Sequence, residues 1–209
     1  MNEYPIPRYS LAEEYCNCIS HLAGAVLAVY GTYQLILNSA MPSFVMCALV
    51  YGILIFTMFL ISALYHAVRD QEVKGAIRKF DHALIYFAIG GTYVPIVNAI
   101  LPPVQGMAWF GALGLCALVG GIFSFITLKH KYVTTAVYLV MGWASLLLLK
   151  DLWSATEPVV SYLLVAGGVV YSVGAALYLI KKPFIHTVFH LFVLGGAVLQ
   201  YLAIKMLYS

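Results

Sequence analysis

Long apolar runs separated by short polar breaks organise this chain. No Asp, Glu, Lys, Arg or His lies between Leu22 and Tyr65 or between Ala83 and Leu128, and the same holds for 132–149, 158–180 and 191–204. A helix needs about 20 largely apolar residues to cross a bilayer core. Dividing the runs at their turn residues predicts seven such helices, at about 18–38, 44–66, 81–101, 106–128, 132–150, 159–180 and 185–207. Asn38-Ser39-Ala40-Met41-Pro42-Ser43 breaks the first run, and Pro102-Pro103 with Gly106 breaks the second. A membrane barrel shows alternating segments of about ten residues, whereas these runs are apolar throughout. The expected fold class is all-α: a polytopic membrane protein, a seven-transmembrane helix bundle. It forms one domain over residues 1–209, with a short N-terminal arm of about 1–17.

Composition agrees. Hydrophobic residues make up 63% of the chain and charged residues 9%, against roughly 25% charged in soluble domains. Lys and Arg accumulate in cytoplasmic loops. With the N-terminus inside, Arg8, Arg69, Lys74, Arg78, Lys79, Lys129, Lys131, Lys181 and Lys182 fall on the inner side, and only Lys150 and Lys205 on the outer. The expected orientation is N-terminus cytoplasmic and C-terminus outside, in the cell membrane. The formal net charge is +3. Basic loops facing anionic headgroups account for it, so no nucleic-acid partner is expected.

The first residues, with Glu3, Glu13 and Glu14, lack the basic start and cleavage site of a secretory signal. The first apolar run is therefore expected to remain as a helix. Ser10-Leu11-Ala12-Glu13 has the form of a capping box, which would start a helix before the membrane. Cys16 and Cys18 fall on the reducing side and Cys47 and Cys116 inside spans, so no disulfide is expected. Gly168, Ser172 and Ala176 follow a small-xxx-small pattern that suits close helix packing. Pro95, inside the third span, is expected to kink it and free a carbonyl. Trp109 and Trp153 fit an interface belt.

Ionisable groups inside a membrane are costly, so each marks a candidate working site. His186 and His190 stand at i and i+4, on one face of the last helix. His66 closes the second span and Asp81 opens the third. Under the inside-start arrangement all six histidines fall on one side of the membrane. Lys and Arg alone set that arrangement, so the agreement is independent. Two imidazoles one turn apart reach one ion, and His66 supplies a third nitrogen. Three protein nitrogens with an open fourth position describe a catalytic zinc site, where a bound water has a pKa of about 7.

Ser62 precedes His66 by one helical turn. Either Ser62 or Asp81 is placed to hydrogen-bond such a water or orient a ligand. Asp81 is also a candidate general base; as a direct fourth ligand it would close the site and favour a structural role. Blander readings exist: an interfacial histidine for His66, a snorkelling pair for His186 and His190, a helix-dipole charge for Asp81. The coincidence of three helix ends outweighs them. His21 is expected to cap or hydrogen-bond. His82, about 100° round the helix from Asp81, should not face inward equally. His130, between two lysines, should be solvated.

Four passages resemble the progestin and adipoQ receptor family, and within it the bacterial hemolysin III branch. They are Glu14-x-x-Asn17-x-x-Ser20-His21, Ser62-x-x-x-His66, Phe80-Asp81 with Gly91-Thr92-Tyr93-x-Pro95, and His186-x-x-x-His190. They run in the family's order from about Glu14 to Tyr201. The resemblance implies a seven-helix bundle with zinc on His66, His186 and His190 and a water near Asp81 and Ser62. It further implies a lipid amidase of the ceramide-cleaving kind, or a role in membrane-lipid and energy homeostasis. The receptor members carry a longer cytoplasmic arm, so hormone reception is not expected.

The leading expectation is a zinc-dependent intramembrane hydrolase, or hydrolase-like protein, acting on a lipid amide or ester. Its partners would be membrane lipids or fatty acids. One alternative is a lipid-sensing regulator in which zinc is structural. Another is a lytic, pore-forming protein, for which the charge-free spans offer little support.

Overall fold

A computed structural model describes residues 5–39 and 42–208; Ala40 and Met41 of the expected first break lie outside the described residues. The described chain is helical: α1 (Leu11–Asn38), α2 (Pro42–Ala67), α3 (Gln71–Ile100), α4 (Pro103–Ile126), α5 (Lys131–Trp143), α6 (Leu149–Ala155), α7 (Pro158–Tyr178) and α8 (Ile185–Tyr208). Seven segments are long and apolar enough to cross a membrane, the fifth being the composite Lys131–Ala155. The chain is thus a multi-pass membrane protein.

Within the arm of about 1–17, helix begins at Leu11, before the apolar run, as the capping box predicts. Glu13 N donates to Ser10 Oγ at 3.3 Å and Ser10 N donates to the Glu13 carboxylate at 2.9 Å. Two boundaries differ from expectation. The third helix starts at Gln71 rather than 81. Asp70 caps it by accepting from the Glu72 and Val73 amides at 3.0 and 2.9 Å. Asp81 therefore sits inside α3, not at its start. The fifth span is not one α-helix over 132–150. A 3-10 segment, Ala144–Leu148, joins α5 to α6. Tyr93 from α3 directs its hydroxyl at the Met141 and Gly142 carbonyls just before that change, at 2.8 and 2.7 Å. α3 continues as α-helix through Pro95.

The helices close into a ring. α1 packs on α2 and α8, α2 on α3, α3 on α5, α5 on α7, and α7 on α8, while α4 lies against α3 outside the ring. Small residues allow the close contacts. A Cβ on Gly120 would lie 2.4 Å from the Tyr86 ring, and one on Gly196 2.9 Å from Tyr171. The expected Gly168/Ser172 stripe receives the indole of Trp143, whose Nε1 donates to Ser172 Oγ at 2.9 Å. Of the two belt candidates, Trp153 is exposed, but Trp109 stacks on Tyr93. All four cysteines are free thiols.

Inside the ring lies a mostly apolar cavity of about 210 Å³. One end is walled by His21, Ser62, Asp81, His186 and His190, and it reaches along α8 as far as Gln200. At 1.5 Å per helical residue, ten residues of α8 separate His190 from Gln200, a depth of about 15 Å.

Candidate metal centre

The residues predicted to converge come together, with Asp81 reaching the group from inside α3 rather than from its start. α2 brings Ser62 and His66, α8 brings His186 and His190, and α3 brings Asp81 to the same end of the ring. One nitrogen from each of His66, His186 and His190 lies within 4.8 Å of the other two, close enough to share an ion. His66 and His190 are buried, at 3% and 1% exposure.

Hydrogen bonds decide which nitrogen of each ring is available. His66 Nδ1 is 2.6 Å from Glu14 Oε2. A carboxylate only accepts, so Nδ1 carries the hydrogen and Nε2 keeps its lone pair. That Nε2 is buried and has no hydrogen-bond partner among the described residues. A buried polar atom without a partner costs about 1–3 kcal/mol, so an orphan here calls for a ligand.

His190 is read the same way. Ser20 Oγ donates to the Asn17 carbonyl at 2.9 Å. It is therefore an acceptor for His190 Nδ1, 3.2 Å away, and the Asn17 carbonyl lies 3.2 Å from the same nitrogen. Nδ1 carries the hydrogen here too, leaving the Nε2 lone pair directed inward. His190 Nε2 and His186 Nε2 are 3.2 Å apart. Zinc–nitrogen bonds of 2.0–2.1 Å at a tetrahedral angle put two nitrogens about 3.3 Å apart. The donor set and its spacing fit a zinc ion.

The outer partners Glu14, Asn17 and Ser20 come from α1; in the sequence they carry the first of the four resembling passages but no individual role. Glu14 bridges His66 and Lys74, whose Nζ donates to Oε1 at 2.6 Å. Asn17 accepts from Thr187 on α8 through Oδ1 at 2.6 Å. Glu14, Asn17, Ser20 and His21 fall at spacings of three, three and one, which lays them along one helical face. That spacing was the available signal. Such carboxylate–histidine pairs fix the ring and raise its basicity as a ligand.

His21 lies flat against His190, ring centroids 3.6 Å apart at 13°, with Phe59 edge-on to it at 5.1 Å. Both its ring nitrogens are buried without a hydrogen-bond partner among the described residues, so the expected capping role is not what it does. Asp81 and Ser62 line the cavity beside the histidines and lie close enough to interact. His82 lines it as well, although about 100° of helix rotation separates it from Asp81. His130 is exposed at the start of α5, away from the cluster.

A segment ahead of α1 crosses the histidine end. Pro7 and Tyr9 line the cavity, and burial pushes the Tyr9 phenol above its usual range, so the ring is neutral.

Comparison with known proteins agrees with this arrangement. A family model described as haemolysin-III related matches residues 9–201, which includes every residue of the centre. Hemolysin-3 of Bacillus cereus is 34% identical over 197 residues, covering 92% of this chain and 90% of that protein. A hemolysin-3 homolog of Bacillus subtilis (strain 168) is 32% identical over 204 residues, 94% of each chain. The monocyte to macrophage differentiation factor of Homo sapiens is 30% identical over 207 residues, 94% of this chain and 85% of that protein. With the family model matched over residues 9–201 and these relatives covered nearly end to end, this chain belongs to the haemolysin-III related family.

Proposed function

We propose that this chain is a zinc-dependent intramembrane hydrolase, or a close relative of one, that cleaves a lipid amide or ester in membrane-lipid homeostasis. The observation that carries this is the buried, unpartnered His66 Nε2. It converges with His186 and His190 beside Asp81 at the end of an apolar cavity. His66, His186 and His190 would hold the metal. When bound, zinc supplies Lewis acidity toward the acyl carbonyl oxygen.

The chain's own residues do the rest. The apolar cavity receives the acyl chain and excludes bulk water. Asp81 accepts a proton from the attacking water and returns it to the departing nitrogen or oxygen as the acyl C–N or C–O bond breaks. Ser62 steadies the Asp81 carboxylate. His21 offers a ring nitrogen to the polar group of the lipid. The bias of Lys and Arg supports an N-terminus in the cytoplasm, a C-terminus outside and a centre near the cytoplasmic face of the cell membrane.

A second reading has its own support. Glu14, Lys74 and the histidines tie α1, α2, α3 and α8 together, as a structural zinc in a lipid-responsive regulator would. Fatty-acid release from a panel of acyl amides and esters separates the two. Purified protein is assayed as prepared, after chelation, and after zinc is restored. Hydrolysis predicts release that disappears and returns with zinc. No zinc-dependent release from any acyl lipid would leave the regulator.

A further inference from the structure

The three histidines are not held alike. His66 is oriented by the Glu14 carboxylate, and His190 by the Asn17 carbonyl and Ser20. His186 has no equivalent: among the described residues its one hydrogen-bond contact is His190 Nε2 itself. Aromatic faces hold its ring instead. Phe189 and Tyr178 lie tilted against it, at centroid distances of 5.3 and 6.1 Å. Tyr9 lies flat on it, at 4.9 Å and 23°.

Tyr9 comes from outside the bundle, yet its segment is fastened at both ends. Arg78 Nη1 donates to the Pro5 carbonyl at 3.1 Å. Ile6 reaches to 3.5 Å from where a Cβ on Gly75 would sit. Ser10 N and Oγ both donate to Glu13 Oε2, at 2.9 and 2.8 Å. The other Glu13 oxygen accepts from Phe184 N at 2.8 Å. Phe184, at φ 58°, makes the turn into α8. One carboxylate therefore grips the residue after Tyr9 and the turn just before His186, which registers the two rings over each other.

We infer that Tyr9 is a positioning residue of the metal centre. It fixes the plane of His186 as Glu14 fixes His66, and Glu13 holds the stack in register. The inference rests on the metal reading above but not on hydrolysis. It couples metal retention to docking of segment 5–10: when the segment lifts, His186 is free to turn its nitrogen away.

The test uses full-length protein in detergent, loaded with zinc or with cobalt. Zinc loss to excess EDTA is followed in time, and the visible bands of the cobalt form report the ligand set. Tyr9→Phe keeps the flat ring and is expected to lose zinc at the unmodified rate. Tyr9→Ala is expected to lose it about tenfold faster, the lower end for removing such a support, with altered cobalt bands. Tyr9→Leu preserves burial without the aromatic face. It is expected to behave like Tyr9→Ala, which separates a loosened site from a misfolded protein. Glu13→Ala is also expected to speed loss, and less than additively with Tyr9→Ala. Unmodified release rates and cobalt bands in both Tyr9→Ala and Tyr9→Leu would overturn the role of Tyr9 alone. Release from Tyr9→Phe as fast as from Tyr9→Ala would also overturn it. Unmodified protein that takes up no metal would overturn the metal reading and this inference with it.

Discussion

Asp81→Asn is expected to slow lipid hydrolysis by a factor of about 10²–10⁴, the usual range for a positioned general base, while zinc and fold remain. The reason is local. Asp81 lines the cavity with Ser62, His186 and His190, so it lies at the wall that a bound lipid would meet. Asparagine matches its shape and still hydrogen-bonds to Ser62. It cannot accept the proton of the attacking water. Because Asp81 is not among the three histidines grouped closely enough to hold an ion, zinc content should stay at the unmodified level. Initial rates of fatty-acid release, measured beside zinc content on the same preparation, check this. Unchanged release with zinc in place would remove Asp81 from the chemistry.

His190→Ala is expected to abolish zinc binding and to lower thermal stability markedly. The imidazole is 1% exposed and joins α1, α2 and α8. Its Nδ1–H donates toward Ser20 Oγ and the Asn17 carbonyl, it stacks on His21, and it lies against His66 and His186. Alanine leaves a cavity and two acceptors without their donor. Metal-linked stability is lost as well, about 2.7 kcal/mol when free zinc stands at a hundred times its dissociation constant. Thermal unfolding in detergent, with and without added zinc, reads both parts. Zinc should raise the unfolding temperature of the unmodified protein and not that of the variant. A variant still stabilised by zinc to the same extent would show that His190 is not a ligand.

Much of this fold was legible because a bilayer asks for one simple thing, an apolar run of sufficient length. The seven predicted spans matched seven membrane-length segments for that reason. Their ends were less legible. α1 and α3 extend beyond their apolar cores through capping at Ser10 and Asp70, and charged Lys74 and Arg78 sit buried on α3, where a search for apolar residues stops short. The 3-10 segment after α5 has no local mark; it coincides with carbonyls engaged by Tyr93, a contact between residues far apart in the chain.

The three histidines and Asp81 were legible because charge inside apolar runs is rare. The supports on α1 were harder. Glu14 and Asn17 sit in a polar stretch where such residues are ordinary, and only contact with His66 and His190 gives them a role. The opposite holds for His82, whose rotation from Asp81 suggested that the two would not face inward equally. A cavity wide enough to touch two adjacent positions of α3 makes that angle uninformative.

The most direct test of the central claim is the metal content of purified protein. Elemental analysis should find about one zinc per chain, with X-ray absorption reporting nitrogen ligands at about 2.0–2.1 Å. His66→Ala, His186→Ala and His190→Ala should each deplete it, and His130→Ala, outside the cluster, should not. Full zinc retention in all three depleting variants, or protein that never takes up zinc, would contradict the account.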